Sequence, residues 1–393
     1  LNTLLIADLL KHPPLYVAAL LSVALLWLTL SGACLLGRRR HDRLAAALAR
    51  CACARPGPGA GASALAAWNR GLLRLLRTLP RDALYRLACD GAQPDWLKDA
   101  LAAGALARYG ARRLLREAAG RQGRRGRGNP WRRIGALHLL CQVRAAGMHA
   151  LLCEALAQPD RAVAAAAVTL LGTLGDRAAA AILVGALRRN WYARTCLAGQ
   201  LERFPDDVAE MLLPLLDDAE PAVRVWGIRL LALRRGLARL DARLAAHADD
   251  ADAAVRKAAV QALGELGGPL AATVASRLVA DTTGFVRAHA ARALGRLFDP
   301  SRQGDGALVA PLLADRDWWV RLAAREALAA MGSAVWRDVA AQAHSADAFA
   351  RDGAREVLRQ IGAGHAAASR GGAAVFAFPP AGAAPAGRRQ LLS

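Results

Sequence analysis

An Asp stands six residues ahead of an Arg four times in the second half of the chain: Asp218 and Arg224, Asp250 and Arg256, Asp281 and Arg287, Asp315 and Arg321. A Val precedes each Arg (Val223, Val255, Val286 and Val320), and successive Arg positions lie 32, 31 and 34 residues apart. A period of this size marks stacked supersecondary units, each too small to bury its own apolar side. It constrains the architecture more tightly than any single residue does.

The clearest copy runs from Asp250 to Gly267. Its apolar residues fall at 255, 258, 259, 262, 263 and 266, one stripe of a 3.6-period helix, and Gly267-Gly268-Pro269 ends it. A second helix is predicted from about Leu270 to Val279, so each unit is a helical hairpin. Weaker copies keep the step. Ala193-Arg194 lies 30 residues before Arg224, Val163-Ala164 another 30 before that, and Ala350-Arg351 lies 30 after Arg321. Trp131-Arg132-Arg133-Ile134 opens an earlier, atypical copy. About eight units fit between residues 130 and 362. Aromatic residues make up only 5% of the chain, no strand-like alternation stands out, and the expected class is all-α.

The run Asp250 to Gly264 reads D-x-x-x-x-V-R-x-x-A-x-x-A-L-G and resembles the HEAT repeat, in the short form that bacterial proteins share with bilin-lyase-like repeats. That resemblance implies an α-α superhelix. It also implies that Asp218, Arg224, Asp250, Arg256, Asp281, Arg287, Asp315, Arg321 and Arg351 form a structural ladder between successive repeats. Asp317-Trp318-Trp319-Val320-Arg321 resembles a run common in bacterial HEAT proteins, and Asp347-Ala348-Phe349-Ala350-Arg351-Asp352 is similar to the ending of a membrane-anchored bacterial subgroup, with Phe349 in place of its Tyr. Similarity to that subgroup implies a link to envelope systems containing a membrane glycosyltransferase.

Leu15 to Leu36 carries no charge and is mostly Leu, Ala and Val. At 1.5 Å per residue such a run covers about 33 Å, enough to cross a hydrocarbon core. A transmembrane helix is therefore expected over 15–37, with residues 1–14 as a short external N-terminus. Arg38, Arg39, Arg40, Arg43 and Arg50 follow the run and only Lys11 precedes it, so the rest of the chain is expected on the cytoplasmic side of the inner membrane. Leu30-Ser31-Gly32-Ala33-Cys34 loosely resembles a lipoprotein cleavage site, but the charge lies behind the apolar run rather than in front. Seven scattered cysteines, with no CxxC pair, suit free thiols in a reducing compartment.

The net charge of +21 first points to nucleic acid. Its distribution points elsewhere. Residues 38–133 hold 22 Lys and Arg against 6 Asp and Glu, whereas residues 134–393 hold 30 against 25. The excess sits in a basic juxtamembrane helical region, 38–129, suited to an anionic membrane surface. The Gly120 to Gly128 stretch has no aromatic residue to stack a base, so nucleic acid is disfavoured there. Leu72, Leu73, Leu76 and Leu79 share one helix face, either on the membrane surface or in the core of an N-terminal domain. The Ala/Gly/Pro-rich tail, 363–393, is expected to be disordered.

Positions +1, +5 and +9 from each ladder Arg share a face away from the core stripe. They include Arg229, Lys257, Gln261, Glu265, Arg292, Arg296 and Glu326, a mixed-charge set suited to a protein partner and poor as a phosphate track. Trp318 and Trp319 add candidate anchors. No phosphate loop, HExxH or G-x-S-x-G motif occurs, and no His is followed by Glu. No catalytic, metal or cofactor residues, and no small-molecule substrate, emerge from the sequence. The expected function is a non-enzymatic, membrane-tethered scaffold or adaptor. The alternatives are nucleic-acid binding through the basic region, or a HEAT-fold lyase-like enzyme.

Overall fold

The computed structural model describes residues 54–56, 62–90, 93–120, 129–234, 240–301 and 304–368. The predicted transmembrane run, residues 121–128 of the Gly120 to Gly128 stretch and residues 369–393 of the tail lie outside these. Every described element is helical. Among the described residues, no helix is long and apolar enough to cross a membrane. The chain divides into two compact units, Leu1–Met148 and His149–Ser393.

In the first unit, α1 (Ala62–Thr78), α2 (Arg81–Cys89), α3 (Asp95–Tyr109) and α4 (Ala111–Ala118) lead to α5 (Pro130–Gln142). Leu72, Leu76 and Leu79 are buried with Leu84, Leu101 and Leu114, so the leucine face of α1 belongs to a protein core. The arginines around it, Arg70, Arg74 and Arg77, remain exposed. The sequence places α5 at the head of the repeat array; in the structure it packs on α2, α3 and α4. Gly135 is the reason it can: a Cβ there would stand 2.4 Å from Tyr85 Cβ, so only glycine lets α5 lie against α2.

The second unit starts with α6 (Met148–Leu156), α7 (Arg161–Leu174), α8 (Arg177–Arg189), α9 (Arg194–Leu201) and α10 (Ala209–Leu212). Five inner helices follow: α11 (Pro221–Ala232), α13 (Ala253–Leu266), α15 (Gly284–Arg296), α17 (Trp318–Met331) and α19 (Ala348–Ala368). Between them run the shorter α12 (Leu240–Ala246), α14 (Ala271–Leu278), α16 (Asp305–Val309) and α18 (Trp336–Gln342). Two outer segments give way to 3-10 turns, Leu213–Leu215 and Ala310–Ala314, each containing a proline that cannot donate to a helix.

Each inner helix packs against the next, so α11, α13, α15, α17 and α19 form one layer. The glycine of the repeat pattern sets their spacing. A Cβ on Gly264 would come within 2.9 Å of Ala293 Cβ, and one on Gly295 within 2.8 Å of Ala327 Cα. Val255, Ala258, Ala259, Ala262 and Leu263 are buried as their period requires, while Leu266, the last of that stripe, is exposed where α13 ends at Gly267 (φ +69°). Asp252 caps the other end, accepting the Ala254 N–H at 2.8 Å. Helix α19 runs to Ala368, past the predicted start of the tail at 363, where alanines favour helix.

Candidate interaction surface

The ladder is built between neighbouring repeats. Arg224 donates to both carboxylate oxygens of Asp250 at 2.8 Å, Arg256 does so to Asp281 at 2.8 and 3.0 Å, and Arg287 to Asp315 at 2.7 and 2.8 Å. Each Arg also turns Nη1 back to two carbonyls of its own turn. For Arg256 these are Asp250 O at 2.9 Å and Ala251 O at 3.2 Å. Each Asp in turn accepts an N–H two residues on, as Asp281 does from Thr283 at 2.8 Å. Burial raises the Asp281 pKa, but the Arg256 hydrogen bonds and then the Thr283 N–H outweigh it, leaving the carboxyl below its ordinary value. These groups are spent on each other, and their role is to fix one repeat on the next.

The ladder changes at both ends. Asp218 takes Arg188 at 2.8 Å, while Arg194, at the ladder position, takes Glu220 at 2.7 Å. At the far end the Asp position is Ser345. Arg321 and Arg351 keep their backbone carbonyls, but among the described residues neither meets a carboxylate. The Arg321 guanidinium instead lies 4.3 Å from the centre of the Phe349 ring.

The +1, +5, +9 face is open to solvent apart from Ala288, which is buried. Its charges do not stand alone. Arg292 donates to Glu326 at 2.7 Å, Arg296 lies 3.8 Å from Glu265, and Gln261 donates to Glu265 at 3.2 Å. Arg229 lies 5.2 Å over the Trp226 ring. Lys257 is half-buried; burial and then the charge of Arg229 lower its pKa.

Trp318 and Trp319 are exposed and meet edge to face, with ring centres 4.6 Å apart. The second residue of each inner helix forms a column that the +1, +5, +9 count passes over: Ala222, Ala254, Phe285, Trp319 and Phe349. The last three are aromatic and exposed by 45, 61 and 62%. Large aromatics at one register position of three consecutive repeats make an apolar column on otherwise polar turns. The period that revealed the ladder also holds this column, two residues before each ladder Arg.

In the first unit a cleft of about 490 Å³ is lined by Tyr85, Arg86, Cys89, Trp131 and the Arg132–Asp82 ion pair. Burial pushes the Cys89 thiol up to about 11, so it is a protonated thiol at neutral pH and a poor nucleophile. Among the described residues, no group of three His, Cys, Asp or Glu is placed to hold a metal ion.

With this geometry in view, the profile of the HEAT repeats matches residues 209–295, which span α10 to nearly the end of α15. That stretch contains HEAT repeats. No curated protein matches the sequence. Among solved structures, a Kap121p mutant is similar with 13% identity and a TM-score of 0.43, over 77% of this chain and 40% of that one. Kap95p, in a structure concerned with RanGDP, shows 15% identity and a TM-score of 0.43, over 77% and 51%. Human deoxyhypusine hydroxylase in complex with glycerol shows 19% identity and a TM-score of 0.27, over 75% and 98%. The chain thus spans about half, or less, of the length of the two Kap structures.

Proposed function

We propose that this protein is a non-catalytic scaffold whose HEAT array holds a partner protein. One observation carries this reading: Phe285, Trp319 and Phe349 stand exposed at one register position of three consecutive repeats. Aromatic side chains are the usual anchors of protein interfaces, and a stacked array presents them at regular spacing. The polar chemistry of the ladder is consumed within the fold, which favours this column over the ladder as the binding element. Residues 15–37 tether the scaffold to the inner membrane with the array on the cytoplasmic side, on the strength of their apolar run and the arginines behind it. An envelope glycosyltransferase is the partner class implied by the resemblance of the Asp347 to Asp352 run.

A photo-crosslinking residue at position 349 tests the reading in intact cells. A discrete protein adduct is expected there, with none from the same residue at position 210, where the exposed Glu210 lies outside the column. Equal crosslinking at both positions, or none at 349, would refute it.

A further inference from the structure

Four cationic side chains and one histidine stand on three successively packed helices of the inner layer. Arg229 comes from α11, Lys257 from α13, and His289, Arg292 and Arg296 from α15. Helix α13 packs against both α11 and α15, so Lys257 sits on the middle helix. Glu326 and Glu265 answer Arg292 and Arg296. Among the described residues, Arg229 and Lys257 have no carboxylate partner, although the Arg229 charge bears directly on Lys257. The charges that weigh most on His289 are all positive: Lys257, Arg292, Arg296 and Arg229. Burial first, and then these cations, hold its pKa down to about 4.

Like charges assembled in this way oppose folding unless an anion joins them. We propose that Arg229 and Lys257, with His289 beside them, form a receptor for carboxylate side chains of an acidic segment in the partner protein. The proposal rests on the scaffold reading and names the chemistry of what the scaffold holds. Side-chain carboxylates fit better than a nucleic-acid backbone. Two cations without a carboxylate among the described residues are too few for a phosphate track, and Glu265 and Glu326 in the same patch repel a continuous polyanion. Trp226 beneath Arg229 supplies an apolar floor for the methylenes of a glutamate.

The test uses the full chain in detergent, a fluorescein-labelled ten-residue peptide with two neighbouring glutamates in an otherwise uncharged sequence, and an oligothymidylate of equal length, read by fluorescence anisotropy. The peptide is expected to bind, and the double substitution R229Q/K257Q to weaken it about tenfold or more. R70Q/R74Q, on exposed α1 positions, is expected to leave peptide binding within about twofold. Loss of fold does not mimic this result, because R229Q/K257Q removes a repulsion and should melt no lower than the parent. Histidine NMR gives an independent readout: bound carboxylates raise the His289 pKa from about 4. Peptide binding that ignores R229Q/K257Q, a His289 pKa unmoved by peptide, or a double variant that weakens the oligothymidylate as much as the peptide would each overturn the proposal. None of these outcomes touches the crosslink at position 349, so the scaffold reading stands or falls separately.

Discussion

Replacing Asp281 by Ala removes three interactions at once. The two oxygens of its carboxylate hold Arg256 at 2.8 and 3.0 Å, and one of them also holds the Thr283 N–H at 2.8 Å. The pair is well shielded, with the Arg256 and Asp281 side chains only 14 and 6% exposed. Breaking a buried pair from one side costs ~3–5 kcal/mol because the other charge is left behind. Arg256 keeps its two backbone carbonyls, which places the rung near ~3 kcal/mol, and loss of the turn acceptor adds ~1 kcal/mol. Asp281→Ala should therefore cost ~3–4 kcal/mol. Asp281→Asn keeps an oxygen for Thr283 and should cost ~2 kcal/mol. The comparison is Arg243→Ala, which breaks an ion pair of the same 2.8 Å length with side chains 40 and 70% exposed, worth less than ~1 kcal/mol. Urea denaturation followed by circular dichroism gives the ordering. Hydrogen exchange locates the loss in α13 and α15, since repeat arrays can open in parts. If Asp281→Ala costs no more than Arg243→Ala, the ladder does not hold the repeats together.

Three further outcomes follow from the same geometry. Gly295→Ala should cost ~1–3 kcal/mol by forcing α15 off Ala327, whereas Gly199→Ala, with no atom near the added methyl, should be neutral or slightly stabilising in the same denaturation experiment. Ser345→Asp supplies the carboxylate that Arg321 lacks; Ser345 already accepts the Asp347 N–H at 3.2 Å, as each ladder Asp accepts its own, so the melting temperature should rise and R321Q should cancel the gain. His289 is held at about 4 against an ordinary 6.5, so between those values the unfolded chain binds more protons than the folded one. Its contribution to stability is complete above pH 6.5 and is lost as pH falls toward 4; His289→Gln should flatten the stability curve across that window, and an unchanged slope would contradict the burial of this ring among cations.

Much of the fold was legible because a repeat states its pattern several times. Val255, Ala258, Ala259 and Leu263 are periodic and local, and the helix they specify is the helix that forms. The outer helices were less legible, since Pro214 and Pro311 turn parts of them into 3-10 segments. The leucine face of α1 had two open readings in sequence, and packing settled them in favour of a core. On the candidate surface, Trp318 and Trp319 are candidates in the sequence, and the structure places both rings exposed. Phe285 and Phe349 are not among them, because positions +1, +5 and +9 lie C-terminal to the Arg whereas these rings stand two residues before it, in the first turn of the helix.

The sequence by itself determined the class of fold, the period and the recurring Asp and Arg positions, because each is written in short-range spacing repeated down the chain; that these residues join successive repeats was implied only by the resemblance. Only the tertiary structure decided which partners those residues find. Asp218 goes to Arg188 and not to the Arg one period upstream, Arg321 has no rung to complete, and Arg292 and Arg296 are matched by carboxylates while Arg229 and Lys257 are not. These choices depend on how closely one helix lies against the next. That distance is set by contacts such as Gly264 on Ala293 and Gly295 on Ala327, some thirty residues apart in the chain.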